Sequence, residues 1–287
     1  MSSFSASCHA SFGELLQGML PDGSHFLVTL PIDLHSHASF TVSSGIAGLS
    51  VWPESSWKVL SGVTALLRRY GLPVQGQLRL QSDIPRGKGL ASSTADLVAS
   101  CRAVARHYDL SLDLEVLEAT LRDIEPSDGV MYEGVVAYRH RQGRLLEELG
   151  PVPALTLVAV DEGGEIETLA HNARSLDYSE SERDEYVELL AQVRHALQGG
   201  DVAGLGAVAT RSALLNQRLL PKRWFDAMRS IAREIGAAGV VAAHSGTFLG
   251  IMIDAAGARH ESQVQRAIAL LEEMNLTPMV FRSLSRP

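Results

Sequence analysis

The sequence predicts an α+β protein built from two lobes that join near residues 150–154. Strand-like patterns dominate the first third of the chain, and segments with helical periodicity dominate the part after residue 154. Between them, Gly150-Pro151-Val152-Pro153 is the best linker candidate. The length of 287 residues suits one large domain or two modest ones. We therefore expect an N-terminal lobe over residues 1–152 and a C-terminal lobe over residues 153–287.

The composition is that of a globular protein, with 46% hydrophobic and 20% charged residues, and it excludes overall disorder. A net charge of −8 offers no general basic surface for nucleic acid. Two cysteines are too few for a disulfide framework, and the first residues lack a secretory pattern, so we expect a cytoplasmic protein. The uncharged segment 235–253 contains several glycines and polar residues, and it predicts a buried hairpin rather than a membrane span.

The elements of the first half follow from local patterns. Short apolar or alternating segments at 26–32 and 36–43 predict strands, and Pro31 predicts a break or an edge between them. Apolar residues at helical spacing predict a helix over 56–70, which Gly71 would end. Further along, the patterns predict a strand at 77–81, helices at 91–108 and 112–124, and a strand at 135–138.

The second half mixes helices with a small set of strands. The patterns predict strands at 155–160, 240–243, 248–253 and 279–284, with the middle two forming the hairpin. They predict helices at 182–197, 202–215, 224–235 and 260–274. The sequence contains no internal repeat and no low-complexity tract.

The most informative segment lies between the strand at 77–81 and the helix that follows it. Its glycines permit backbone conformations that other residues avoid, and the first amides of the helix have no partner within the helix. Together with the helix dipole they predict an anion site, to which Arg86 and Lys88 add positive charge. A glycine turn with a serine N-cap is the simpler alternative. The predicted phosphate-binding residues are Pro85, Arg86, Gly87, Lys88, Gly89, Leu90, Ala91, Ser92, Ser93 and Thr94.

This segment resembles the central motif of the GHMP small-molecule kinases, P-x-x-x-G-L-x-S-S-A. It matches the motif except at Thr94, where alanine is usual. The first motif of that family corresponds to residues 7–18, which match at Gly13-Glu14 and carry His9 where proline is frequent. The third motif, a turn between strands, corresponds to residues 243–250, which contain less glycine than most members.

The resemblance implies the two-lobed GHMP kinase fold, with a ribosomal S5 domain 2-like N-terminal lobe and a ferredoxin-like C-terminal lobe. It also implies ATP as the phosphoryl donor, Mg²⁺ as a cofactor, and a small molecule with a hydroxyl group as the acceptor. The forms G-E-L-L-Q-G and S-G-T-F-L-G are similar to the L-threonine kinases of cobalamin biosynthesis, which favours L-threonine. The alternatives are homoserine, a sugar or an isoprenoid alcohol as acceptor, a related decarboxylase, and a non-catalytic ligand-binding member. We expect neither nucleic acid nor membrane as partner; a homodimer is left open.

The catalytic residues expected from the resemblance are Asp128, Ser93 and Lys88. Asp128 follows a predicted helix in Pro126-Ser127-Asp128, two positions shorter than the family's P-S-G-V-D segment, and it would act as base or orient the substrate. The alternative is that Asp128 only caps a turn. The expected metal ligands are Ser93 with Glu118, which is nearer the family's offset, or with Glu125, which adjoins Asp128. Either glutamate could equally be a solvated helix residue.

The acceptor end of the site is the least determined part. An amino-acid ammonium needs a carboxylate, and Glu14 or Asp33 would serve. His35 and His37 share one strand face, but without a third ligand a zinc site is less well supported than a structural or substrate-pocket role. The predicted acceptor-binding residues are Glu14, Gln17, His25, Asp33, His35, Ser245, Gly246 and Thr247.

Overall fold

The computed structural model describes residues 3–42, 48–164, 178–243 and 246–285, and within these ranges the chain forms ten strands and seven helices. The strands are Phe4–Met19 (β1), His25–Thr41 (β2), Leu49–Trp52 (β3), Gly76–Ser82 (β4), Val135–Arg139 (β5), Arg144–Gly150 (β6), Leu155–Asp161 (β7), Gly239–Ala242 (β8), Phe248–Asp254 (β9) and Met279–Arg282 (β10). The helices are Trp57–Arg69 (α1), Ser92–His107 (α2), Leu114–Arg122 (α3), Glu180–Gly199 (α4), Val202–Asn216 (α5), Phe225–Ile235 (α6) and His260–Glu273 (α7).

One mixed sheet connects both halves of the chain, in the order β10-β7-β9-β8-β1-β2-β4-β3. β5 pairs with β2, and β6 pairs with β5. The two halves meet where Glu14 of β1 pairs with Ala242 of β8. Residues 151–154 carry neither helix nor strand, and the sheet continues past them through β1 and β8. The lobe boundary at residue 152 stays a prediction.

β1 and β2 form a long antiparallel pair that the sequence analysis described only in part. The expected break at Pro31 is wrong, because β2 runs unbroken from residue 25 to residue 41. Pro31 is accommodated where the register of β1 shifts after Ser11, so the ladder there does not depend on its missing N–H group. β1 escaped prediction because its residues 10–19 are buried without alternation, which removes the period-2 signal.

The predicted helices are confirmed, with ends that differ by no more than a few residues. The predicted hairpin is confirmed as β8 and β9, whereas residues 244 and 245 lie outside the described part. No helix in the described ranges has the length and apolar character needed to cross a membrane. Cys8 and Cys101 are both buried and unpaired.

Packing fixes the position of α2, the helix that follows the predicted phosphate loop. Its buried face packs on β1 and β2, where aromatic side chains such as Phe40 are fully enclosed. A hydrogen bond of 2.5 Å from Ser36 to Asp96 ties β2 to this helix. A second apolar cluster, which includes Met228, Ile231 and Ile251, covers the sheet at β7, β8 and β9. The loop at the start of α2 is therefore attached to a helix that β1 and β2 hold in place.

Candidate active site

The predicted phosphate loop is a strained turn between β4 and α2. Gly87, Gly89 and Ala91 all have a positive φ, at 69°, 77° and 61°. Alanine rarely adopts this conformation, and such strain concentrates at functional sites. Ala91 is the N-cap of α2 and no side chain caps the helix, so the serine N-cap considered as the alternative is wrong. The first amides of α2 are therefore open to an anion.

The turn between β8 and β9 closes against this loop. The Thr247 amide donates a hydrogen bond of 3.2 Å to the Lys88 carbonyl. A Cβ on Gly246 would lie 1.9 Å from that same oxygen, so only glycine permits the approach. The structure thus places Gly246 and Thr247, both predicted to bind the acceptor, against the phosphate loop. Ser245, which shared that prediction, lies outside the described residues.

The basic residues of the loop have acidic partners. The Lys88 ammonium lies 2.7 Å from an Asp161 oxygen and also donates to the Gly164 carbonyl. Arg86 lies 3.0 Å from Asp96, whose carboxylate also accepts from Ser36. Asp161 accepts a further hydrogen bond of 2.5 Å from the Thr247 hydroxyl. Asp161 was not predicted as a site residue, although the sequence places it at the end of a buried strand in the second half of the chain.

Lys222 lies beneath the same turn. It is buried, and its ammonium donates a hydrogen bond to the Gly246 carbonyl. Burial lowers the pKa of Lys222 to about 8, and the charges of Asp161 and Glu162 oppose that shift. No sequence motif marks this residue, which lies in the connection between α5 and α6.

Carboxylates gather beside the first turn of α2. The Ser93 hydroxyl donates a hydrogen bond of 2.5 Å to Glu125 Oε1, and Lys58 lies 2.6 Å from Glu125 Oε2. Burial and the neighbouring Glu125 raise the pKa of Asp128 to about 6. Burial and the charge of Asp128 raise the pKa of Glu14 well above its usual range. Glu14 Oε2 is buried and has no hydrogen-bond partner among the described residues. We call Glu14, Glu125 and Asp128 the carboxylate group.

Of the two predicted metal glutamates, the structure brings Glu125 to Ser93 and uses Glu118 elsewhere. Glu118 Oε1 accepts hydrogen bonds from the Tyr132 hydroxyl at 2.7 Å and from the Leu145 amide at 2.8 Å. Its carboxylate therefore holds α3 to the strands that follow. The turn after α3 carries Glu125 back to the start of α2, and the metal-binding role of either glutamate stays a prediction.

The donor set around Ser93 fits a magnesium ion that is shared with a phosphate. Glu125 and Ser93 supply hard oxygen atoms, which Mg²⁺ prefers, and Mg²⁺ usually keeps several waters and binds one or two carboxylates plus phosphate oxygens. Within the described ranges, no group of three His, Cys, Asp or Glu side chains is arranged to hold a metal without such help. The pair thus suits metal that arrives with a phosphate rather than a permanent metal centre.

The remaining predicted acceptor residues lie along β1 and β2. Glu14 of β1 pairs with Thr29 of β2. His25 lies four residues before Thr29 on the same strand, which is roughly 13 Å at the usual strand rise. His25 packs edge-on against His140 and Tyr178, and its burial lowers its pKa to about 4.

Asp33 lies four residues after Thr29 on β2, is largely exposed, and is 3.7 Å from His35. The ring centroids of His35 and His37 are 6.0 Å apart. Gln17 is buried, and its backbone amide donates to the Ser212 hydroxyl. Of the predicted acceptor residues, Glu14 alone belongs to the carboxylate group.

Comparison with known proteins gives a consistent result. Residues 58–132 match the family described as GHMP kinases N terminal domain. The chain is 30% identical to the L-threonine kinase of Salmonella typhimurium over 284 residues, which cover 95% of this chain and 89% of that protein. It is 26% identical to the homoserine kinase of Pyrococcus abyssi, over 68% of this chain and 69% of that protein.

Solved structures share the fold at low sequence identity. The homoserine kinase of Cytophaga hutchinsonii superposes with a TM-score of 0.75 at 15% identity, over 99% of this chain and 95% of that one. The mevalonate kinase of L. major, solved with R-mevalonate, gives a TM-score of 0.72 at 17% identity over 99% and 96% of the two chains. The predicted α+β fold class is confirmed.

Proposed function

This chain belongs to the GHMP kinase family, and on that premise we propose that it transfers the γ-phosphoryl group of ATP to the hydroxyl group of L-threonine. One observation carries the proposal. Ser93, Glu125 and Asp128 gather at the start of α2, where the open amides of the phosphate loop end. A phosphate-binding turn beside carboxylates that can hold Mg²⁺ and orient the acceptor hydroxyl supplies the positioning and charge neutralisation on which phosphoryl transfer depends.

The donor side is the loop itself. The backbone amides at the start of α2 and the positive φ at Gly87 and Gly89 form a cradle for phosphate oxygens. Lys88 adds a cation within reach of the cradle. Ser93 and Glu125 would hold Mg²⁺, which neutralises charge on the transferring phosphoryl group when it is bound. These residues position the phosphates, and positioning with charge neutralisation accounts for most of the catalysis in this class.

The acceptor side is the carboxylate group. Asp128 has a pKa of about 6, so it is mostly ionised at neutral pH and can accept a hydrogen bond or a proton from the acceptor hydroxyl. Glu14 presents a buried oxygen without a partner, which an ammonium group would satisfy. An amino acid with a hydroxyl side chain carries both of these groups. The relatives named L-threonine kinase favour L-threonine among such amino acids.

Several finer assignments belong to the same proposal. We place the enzyme in the cytoplasm, where ATP is made available and buried thiols such as Cys8 stay reduced. Its product would be O-phospho-L-threonine for cobalamin biosynthesis. The homoserine kinase relatives make homoserine the next acceptor to consider, since it also combines an ammonium with a hydroxyl.

The test is ADP release from Mg·ATP in the presence of L-threonine, L-serine, L-homoserine, mevalonate, galactose or no acceptor. We expect strong turnover with L-threonine and turnover near the no-acceptor control with mevalonate and galactose. Asp128→Asn serves as the inactive reference. Turnover with L-homoserine alone would identify homoserine as the acceptor and would leave the proposed mechanism unchanged.

Two other outcomes would contradict the proposal. Release of CO₂ together with ADP would indicate the decarboxylase alternative. Binding of ATP without ADP release for any hydroxyl compound would indicate a ligand-binding protein built on a kinase fold. Isothermal titration with a non-hydrolysable ATP analogue separates this second outcome from a protein that is simply misfolded.

A further inference from the structure

Lys58 occupies a position that its own helix disfavours. It lies in the first turn of α1, which contains no acidic residue, and Ser56 at the N-cap makes no side-chain hydrogen bond. A cation there faces the positive end of the helix dipole, which favours acidic side chains instead. The stability of α1 therefore gives no reason for a lysine at this position.

The partner of Lys58 supplies a reason. Its ammonium lies 2.6 Å from Glu125 Oε2, whereas Glu125 Oε1 accepts from the Ser93 hydroxyl. Both oxygens of this buried carboxylate thus have side-chain partners within the protein. Among the ion pairs of the described residues, Lys58 provides the one cation in contact with the carboxylate group. It therefore offsets the charge of Glu125 beside Asp128.

We propose that Lys58 is the counter-ion of Glu125, and that a divalent cation must displace it to bind Glu125. This inference rests on the proposed function, which makes Glu125 and Ser93 the metal ligands. A cation bound at Glu125 Oε2 takes the place that the ammonium holds. The displaced ammonium has a nearby alternative, since it lies 5.9 Å from the centre of the Trp57 ring and can keep a cation–π contact.

The arrangement has a consequence for how metal enters the site. Because Lys58 competes for Glu125, metal alone binds the free protein weakly. Metal that comes with a phosphate brings its own negative charge, which compensates the displaced ammonium. Lys58 is thus a positioning residue: it holds Glu125 in place beside Ser93 until metal and nucleotide arrive together.

The experiment measures binding of Mn²⁺, as a probe for the divalent cation, to the nucleotide-free protein by water-proton relaxation. We expect Lys58→Met and Lys58→Gln to bind Mn²⁺ at least fivefold more tightly than the wild-type protein. Lys58→Arg keeps the competing charge, so its affinity stays within twofold of wild type. Arg68→Met is the matched control, since it removes one positive charge from an exposed position on the same helix.

Thermal unfolding provides a second readout that does not need activity. Without divalent cations, Lys58→Gln unfolds at a lower temperature than Arg68→Met, and Mn²⁺ raises its unfolding temperature more than that of wild type. Unchanged or weaker Mn²⁺ binding by both neutral variants would overturn the inference. Glu125→Gln tests the premise, because Mn²⁺ binding that survives this change would remove the metal site from the proposed function itself.

Discussion

The two sides of the site differ in how far their charged side chains are paired with opposite charges. On the loop side, Lys88 and Arg86 each have a carboxylate partner, and Lys222 is bound to a carbonyl. On the other side, Lys58 pairs with Glu125, and no ion pair of the described residues gives Glu14 or Asp128 a cationic partner. The cations of the loop side therefore have partners within the protein, whereas the carboxylate side holds more acidic groups than cations. An ammonium and a divalent cation would supply positive charge there, and strongly shifted pKa values mark functional sites for this reason.

The largest effect is expected from Asp128→Asn, which removes one charge from the unbalanced side. Turnover should fall by about 10³-fold, within the range typical for loss of a general base. The free energy of unfolding at pH 7.5 should rise by about 1–2 kcal/mol, because a buried like charge is removed. ADP release and urea denaturation measure the two changes on the same preparation.

The pH dependence of that stability gain has a definite sign. The pKa of Asp128 rises from 3.8 to about 6 on folding, so the native state holds the proton more tightly. The contribution of Asp128 to the free energy of unfolding is then highest below pH 4 and decreases as the pH rises to about 6. The advantage of Asp128→Asn should therefore grow between pH 5 and pH 7.5. An advantage that stays constant over this range would show that Asp128 is not strained by its neighbours.

Gly246→Ala should have the next largest effect, because it separates the turn from the phosphate loop on the balanced side. The added Cβ meets the Lys88 carbonyl at 1.9 Å, and neither backbone can yield easily. We expect a loss of about 2–3 kcal/mol in stability and an ATP KM that rises at least tenfold. Gly199→Ala, where an added Cβ meets nothing within 4 Å, is the control and should neither lower the stability nor raise the KM. An unchanged KM for Gly246→Ala would mean that the turn does not shape the ATP site.

Most elements of the fold could be predicted from the sequence, and the wrong or missing predictions have physical causes. Helices were found because one buried face gives a 3.6-residue period. β1 was missed because both of its faces are buried. The break at Pro31 was wrongly predicted because the register shift of β1 that accommodates the proline is not visible in the sequence. Short strands such as β3 carry too few residues to show a period.

The site was accessible where one continuous segment encodes it. The phosphate loop follows from residues 85–94 alone, because its glycines and helix start are local features. The choice between Glu118 and Glu125 was not accessible, since it depends on how the turn after α3 folds back to Ser93. Lys58, Asp161 and Lys222 reach the site from distant segments, and no spacing links them to it.

Lys222→Met tests whether the balanced side also contains a strained charge. Its pKa falls from 10.5 to about 8 on folding, so the unfolded chain binds more protons between these values. The contribution of Lys222 to the free energy of unfolding of the wild-type protein should therefore rise by about 1–3 kcal/mol between about pH 8 and pH 10.5. The variant should lack this rise when the two proteins are unfolded in urea at pH 7.5, 8.5 and 9.5. Parallel pH profiles would show that Lys222 keeps its ordinary pKa.

The smallest effect is expected from Asp161→Asn, which unbalances the loop side in the opposite direction. Lys88 and Asp161 are both partly exposed, so their ion pair contributes no more than about 1 kcal/mol. Without the aspartate charge, Lys88 no longer has to leave a carboxylate to reach a phosphate, and the ATP KM should fall about two- to fivefold with kcat unchanged. Asp22→Asn removes an equivalent charge from an exposed pair with Arg139 and should leave the KM unchanged. A raised ATP KM for Asp161→Asn would instead mean that Asp161 orients Lys88 toward the phosphates. The ion pair would then serve to hold the lysine side chain in place rather than to compensate its charge.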